Sequence, residues 1–436
     1  MKRALFITLA FILMALATLL PQAGRPVVAA AAPGTIAYVR YQAGNGTDIR
    51  LIEPDGSGDR RLLTVPDSPI GHIPALAWRP DAAELAFSSD HSGAAAVYGK
   101  DIYAIRPDGS GLRKLTNGPV HSQLAAYPKG NVTVDVVVAA GAGPVLVYVA
   151  GAAEPQSALG STRLTFTDVA DFGPGNMQGV VGIIGSLRWY GPAIDVQAGQ
   201  TAHAAGTLFV TGTGIPRRAD RPSWRSDGKT IGFMVGEYCG EFRSLPVDPP
   251  VNALGQTLLA AQSPLGFLCL VDWGPTPALA NQLLYNEFDQ AERGIYRTTA
   301  GSAEPGELLV PYDVFHMPTD LKWLPDGSGF VAAIAAWNEG RWASNNLYEY
   351  TFATQQLRQL TNFDDEFAGF LSISPDGAWI AFERAPSTEA HPDLWLMRRD
   401  GSDMQLLARK AARPAWSRRA PQAAPEIRIY IPVVVR

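Results

Sequence analysis

Apolar residues in this chain come in short runs separated by turn residues. Glu84-Leu-Ala-Phe87, Thr230-Ile-Gly-Phe-Met234 and Trp379-Ile-Ala-Phe382 are nearly continuous apolar stretches. Each is followed by a run carrying an aromatic residue: Asp101-Ile-Tyr-Ala-Ile105, or Asp393-Leu-Trp-Leu-Met397, with Asn346-Leu-Tyr-Glu-Tyr350 a further copy. A shorter run closes the set, as in Arg61-Leu-Leu-Thr64, Arg113-Lys-Leu-Thr116 and Arg358-Gln-Leu-Thr361. Little of this text has a helical period, so the pattern predicts β-strands throughout.

The runs repeat. Trp224, Trp273 and Trp323 are 49 and 50 residues apart, Ile373 follows at 50 and Trp416 at 43. Each marks the end of a first strand. Trp-Arg-Ser-Asp-Gly at 224–228, Trp-Leu-Pro-Asp-Gly at 323–327 and Ile-Ser-Pro-Asp-Gly at 373–377 repeat one tight turn, and Trp78-Arg-Pro-Asp81 is an earlier copy. A period of this length predicts a solenoid or propeller, and four strands per period favour propeller blades. Sets of second, third and fourth strands lie near 35–64, 83–116, 230–260, 282–310, 329–361 and 379–408. The first set lacks a first strand, and residues 413–418 supply one. A blade shared between them would close a ring of six and hide the sheet edges.

One stretch breaks the period. Trp78 to Trp224 is 146 residues, and the Trp-x-Pro-Asp-Gly text is absent from 120–218. Alternating runs stand there instead, such as Asn131-Val-Thr-Val-Asp-Val-Val-Val138 and Gly206-Thr-Leu-Phe-Val210. The surplus is read as one inserted β-domain, with an eight-bladed ring as the alternative. The expected organisation is a signal peptide at 1–32, propeller at 33–122, an inserted β-sandwich at 123–217, propeller at 218–420 and a tail strand at 421–436.

The repeated text resembles the WD40-like repeats of the TolB-type six-bladed propellers over about 34–118 and 219–418. Phe166-Thr-Asp-Val169, Val145-Leu-Val-Tyr148 and Ala198-Gly-Gln-Thr201 resemble the carboxypeptidase-regulatory-like or transthyretin-like β-sandwich. The first resemblance implies an all-β propeller from a superfamily of binding proteins and accessory domains of peptidases. The second implies an adhesive or spacing module.

Composition narrows the function classes. Lys2 and Arg3 precede the apolar stretch Ala4 to Leu20, and small residues follow from Val27 to Ala32. That is the layout of a cleaved secretory signal, with a retained anchor as the alternative. Without residues 1–32 the chain has 33 basic and 41 acidic residues, which gives no electrostatic case for nucleic acid. An exported protein, in the periplasm, at the cell surface or outside the cell, is expected, as a monomer with no membrane span after cleavage. Two cysteines exclude a disulfide-stapled scaffold and a four-cysteine zinc site. Cys239 and Cys269 fall at neighbouring blade ends on one face, and export permits a disulfide between them; two separate buried thiols are the alternative.

The text contains no H-E-x-x-H, G-x-S-x-G, P-loop or EF-hand motif. The recurrent Asp-Gly pairs fall where hairpin turns are needed, and the recurrent Trp is read as packing. No catalytic residue, cofactor or metal is expected. The longer loops lie on the face carrying the second-to-third-strand and blade-to-blade connections. His72 and His316 would oppose each other there, with Asp364, Asp365 and Glu366 at the rim. The expectation is an exported, non-catalytic propeller binding a protein, peptide or glycan partner at the cell envelope through this face. The alternative is a hydrolase or lyase at the funnel mouth, with or without a metal ion assisting its chemistry.

Overall fold

A computed structural model describes residues 33–418 apart from 43–45, 66–73, 90–100, 117–125, 150, 172–176, 185–186, 192–193, 212–217, 237–238, 248–255, 260–266, 289–292 and 339–340. The predicted signal segment, the tail strand and His72 lie outside these residues. The chain is all-β. Its strands are interrupted among the described residues by one short 3-10 turn, Pro277–Leu279.

Most strands fall into antiparallel runs of four, taken in chain order. Leu76–Trp78, Leu85–Ser89, Asp101–Ile105 and Arg113–Lys114 form one such sheet. Arg218–Trp224, Thr230–Gly236, Gly240–Pro246 and Gln256–Leu259 form the next, and Phe267–Trp273, Gln282–Phe288, Arg293–Thr299 and Glu307–Pro311 the one after. His316–Trp323, Gly329–Asn338, Arg341–Thr351 and Gln356–Gln359 follow, then Phe367–Ile373, Trp379–Ala385, Asp393–Arg398 and Gln405–Ala408. The remaining sheet joins distant parts of the chain: Ala411–Trp416 pairs with Ile36–Tyr41, followed by Thr47–Ile52 and Arg60–Val65. First strands of successive sheets pack side by side, and Ala411–Trp416 packs on both Phe367–Ile373 and Leu76–Trp78. The first strands therefore close on themselves around an axis, which is a β-propeller.

The recurrent Trp locks neighbouring sheets. Trp78, Trp224, Trp273, Trp323 and Trp416 are all buried. Trp224 Nε1 donates to the Ala77 carbonyl, Trp78 Nε1 to Ala415 and Trp323 Nε1 to Asp272. Each acceptor is the residue just before the first-strand Trp of the preceding sheet, so a single polar atom on an otherwise apolar ring fixes the spacing of two sheets. Trp416 Nε1 donates instead to the Pro33 carbonyl, and Trp273 departs further. Its Nε1 is buried without a partner, and its ring packs edge-on against Phe242. Gly232 permits this packing, since a Cβ there would lie 2.1 Å from Phe242 Cζ and 2.6 Å from Trp273 Nε1.

The Asp-Gly pairs are turns. Asp55, Asp108 and Asp400 each accept the backbone N–H two residues on, at 2.8–2.9 Å, the local bond that favours Asp in a tight turn. Gly327 and Gly377 adopt φ of 77° and 70°, a conformation glycine reaches without steric penalty.

Residues 129–210 pair among themselves. Lys129–Val138 pairs antiparallel with Thr162–Ala170 and parallel with Thr201–Val210. Val145–Val149 pairs with Gln156–Ala158 and Val180–Ile184, which pairs with Leu187–Tyr190. Strict alternation along Lys129–Val138 turns Val132, Val134 and Val136 into a core with Phe166 and Leu208. Ala198-Gly-Gln forms a turn, and Gly206 lies inside the continuous strand Thr201–Val210.

Cys239 and Cys269 are disulfide-bonded, with Cα atoms 4.2 Å apart. Cys239 lies in the turn after Thr230–Gly236 rather than at the strand's end, and Cys269 is the third residue of Phe267–Trp273. Gly240 pairs with Leu268 beside the bond. No helix among the described residues is long and apolar enough to cross a membrane.

Candidate functional site

His316 opens the strand His316–Trp323, and its Nδ1 lies 2.8 Å from Asp313 Oδ1, both side chains being half exposed. The His316 ring, with the Phe315 N–H, holds the Asp313 carboxyl below its usual range. Asp364 and Asp365 are exposed. Glu366 is bound by the Arg384 guanidinium, which lies against Phe363 and Trp395 at 4.5 and 4.6 Å. Of the opposed histidine pair, only His316 is among the described residues. Among these residues no group of three His, Cys, Asp or Glu side chains is placed to hold a metal ion.

Beside His316 stands a feature the sequence reading did not single out. The strands Gly329–Asn338 and Arg341–Thr351 have 10 and 11 residues, against 7 and 6 in the hairpin Trp379–Ala385 and Asp393–Arg398. The extra length carries Trp337 and Trp342 to the tip, edge to face at 4.9 Å. Trp337 N–H donates to the Phe315 carbonyl at 2.6 Å, and His316 pairs across the strands with Ala336. Val314 and Phe315 are 61% and 55% exposed. His316 thus borders an exposed apolar and aromatic patch, of the kind that marks contact surfaces. The signal was Trp-Asn-Glu-Gly-Arg-Trp at 337–342, two Trp flanking a turn, too far along the hairpin to reach the core.

The axial channel is lined one residue per sheet, because alternate residues of each first strand point inward. Counting back three from the Trp position gives Ala75, Arg221, Leu270, Asp320, Phe370 and Arg413, all on one cavity wall. Counting back one gives Ala77, Ser223, Asp272, Lys322, Ser372 and Ala415, which line a second cavity further along the axis. Polar groups in the second layer tie sheets together. Ser223 Oγ donates to Asp272 Oδ1 at 3.0 Å, and the Trp323 N–H donates to Asp272 Oδ2 at 3.1 Å. Burial pushes the Asp272 carboxyl up from its ordinary value. Arg418 reaches over this cavity to the Pro275 carbonyl of the opposite sheet. The turn face therefore offers more than the bare tight turns expected there.

No protein-family model and no curated protein matches the chain. Among solved structures, the chain is similar to TolB from Acinetobacter baumannii, at 14% identity and a TM-score of 0.49, over 88% of this chain and 66% of that one. It is similar to a chain of a nidogen/laminin complex at 8% identity and a TM-score of 0.48, over 88% and 100%. A puromycin hydrolase aligns at 14% identity and a TM-score of 0.45, over 90% of this chain and 54% of the hydrolase. The chain thus spans just under two thirds of the TolB chain and about half of the hydrolase. Likenesses this distant say nothing of function.

Proposed function

We propose that this chain is an exported, non-catalytic six-bladed propeller that binds a protein, peptide or glycan partner at the cell envelope. The observation carrying this reading is the aromatic tip of the 329–351 hairpin, exposed beside Phe315 and His316 on the face expected to bind. Trp and other aromatics dominate binding energy where they can be buried by a partner. Alanine at Trp342, His316 or Asp365 is expected to weaken capture of the partner from envelope extract, about tenfold or more for Trp342, with the thermal midpoint unchanged. Asp108→Ala and Asp400→Ala, on the turn face, should leave capture intact. Loss of capture in the turn-face variants alone would overturn the reading.

The six-blade count is supported by the six runs of four strands, and a guest β-sandwich at 123–217 by the separate pairing and core of residues 129–210. A guest domain has neighbouring ends, so its removal changes loop-closure entropy little. Deleting 128–213 and joining the flanks by a short Gly/Ser linker should leave cooperative unfolding. An uncooperative, partly folded deletion variant would favour the eight-bladed alternative. The Cys239–Cys269 bond belongs to the same reading, since export exposes both thiols to oxidation. Two free thiols titrating in unfolded, unreduced exported protein would exclude it.

A second reading, a hydrolase or lyase in the funnel, has one observation in its favour. Glu383, buried against Arg413, has its carboxyl pushed up to about 7, chiefly by burial, and perturbed carboxyls collect at catalytic sites.

A further inference from the structure

The channel layer three residues before the Trp position holds two arginines whose guanidinium groups make few direct contacts with the protein's own carboxylates. Arg221 and Arg413 occupy equivalent repeat positions, in Arg-Pro-Ser-Trp at 221–224 and Arg-Pro-Ala-Trp at 413–416. Both sit at irregularities of strand pairing, where the register shifts between Asp220 and Ser223 and between Ala37 and Val39. Their φ angles are 50° and 55°. A non-glycine residue in this left-handed region is strained, and such strain gathers at ligand sites. Both side chains line the cavity wall, as the equivalent residues of the other sheets do.

Phe370, from the sheet opposite Arg221, lies between them. The Arg413 guanidinium carbon is 3.2 Å from the Phe370 ring centre and that of Arg221 is 5.2 Å from it. Among the described residues the Arg221 guanidinium makes no hydrogen bond or ion pair. Arg413 Nε is buried without a hydrogen-bond partner, and its ion pair with Glu383 is long, at 3.8 Å. Asp320, the acid of the same layer, is already engaged: Oδ2 accepts the Leu371 N–H at 2.8 Å, and Oδ1 lies 3.7 Å from Lys322 Nζ. Burial, with Arg413 next, pushes the Arg221 guanidinium down from its ordinary value, against the opposing pull of Asp320, Asp220 and Glu383.

We infer that this layer is a binding site for a single carboxylate bearing an apolar substituent. Two guanidinium forks match the planar, singly charged carboxylate. Glu383 and Asp320 add negative charge nearby, which disfavours a doubly charged phosphate. Phe370, Leu270 and Pro222 supply apolar wall for the substituent. The inference goes beyond the partner-docking reading and does not depend on the hairpin tip. The carboxylate could come from a small organic acid or from the C-terminus of a peptide.

The test uses the full chain and propionate as probe, read by calorimetry and by the arginine Nε–H signals in 15N NMR. Propionate should bind saturably and move the Arg413 Nε–H signal. Arg221→Gln and Arg413→Gln should each weaken binding about tenfold to a hundredfold, as loss of a charge-assisted hydrogen bond does, while Lys229→Gln on the turn face has no effect. Acetyl-Ala-Leu with a free C-terminus, and not its amide, binding more tightly than propionate would identify a chain end as the source. Propionate binding with neither peptide bound would identify a small acid. Either result upholds the site. The inference is overturned if the wild-type Nε–H signals do not respond to propionate, if inorganic phosphate displaces propionate at equal concentration, or if both variants bind as the wild type does. The NMR readout in unmutated protein keeps the test decisive should the variants misfold.

Discussion

Trp323→Ala is expected to lower the unfolding free energy by about 4 kcal/mol, the usual range for truncating a buried Trp being 3–5. The indole is 4% exposed and packs with Leu321, Phe330 and Phe352. Its Nε1 also donates to the Asp272 carbonyl of the preceding sheet, so the loss includes a stranded acceptor between two sheets. Trp323→Phe separates these effects: it keeps most of the ring and drops the donor, for about 1–2 kcal/mol from the unmade hydrogen bond. Trp273→Phe should be milder, because Trp273 Nε1 has no partner to lose. Trp337→Ala at the hairpin tip should stay within about 0.5 kcal/mol. Urea denaturation measures all four, and a Trp323→Ala change no larger than that of Trp337→Ala would refute the latch.

Glu383→Gln is expected to stabilise the protein progressively as pH rises. The carboxyl is pushed up from 4.5 to about 7 by burial, against the opposing pull of Arg413. The folded state therefore holds this proton more tightly than the unfolded chain. The stabilisation is complete below the unfolded value and is lost as pH climbs through about 7. A shift of this size corresponds to an upper figure of about 3 kcal/mol. Glutamine has no proton to lose and keeps an oxygen for the Arg413 N–H, which now donates to Glu383 Oε1 at 2.7 Å. The stability difference between variant and wild type should therefore be small at pH 4.5 and open to roughly 2–3 kcal/mol by pH 8.5. Asp272 is shifted in the same direction and steepens both curves alike, so the difference is the quantity to read. Parallel curves for the two proteins would show that Glu383 ionises normally.

The repeats made much of the strand layout readable, because local chemistry decides it. An Asp-Gly pair after an apolar strand dictates a tight turn, and the Trp before it marks where the strand ends; Trp224, Asp227 and Gly228 show this together. Alternation in 131–138 likewise placed Val132, Val134 and Val136 inward. The channel was harder. Arg221 and Arg413 stand beside proline in text that reads as an ordinary strand, and a residue type usual at the surface gives no sign that it faces the lumen. Their equivalence was nevertheless visible as Arg-Pro-x-Trp at two places in the repeat. The hairpin tip was missed for the opposite reason: Trp337 and Trp342 look like core residues, and strand length alone decides that they are not. His72, the other half of the expected histidine pair, lies outside the described residues.

The layered channel separates two inheritances along one strand. The Trp position holds sheets in place and tolerates little change. Three residues earlier, each repeat contributes one letter to the channel wall, and Ala75 and Leu270 share a cavity with Arg221 and Arg413. A duplicated repeat can therefore drift at that one position, altering charge or size in the lumen, while the scaffold that presents it stays intact. The axis works as a word spelled one letter per sheet, open to revision letter by letter, and it is the natural place to rewrite ligand preference by combinatorial substitution.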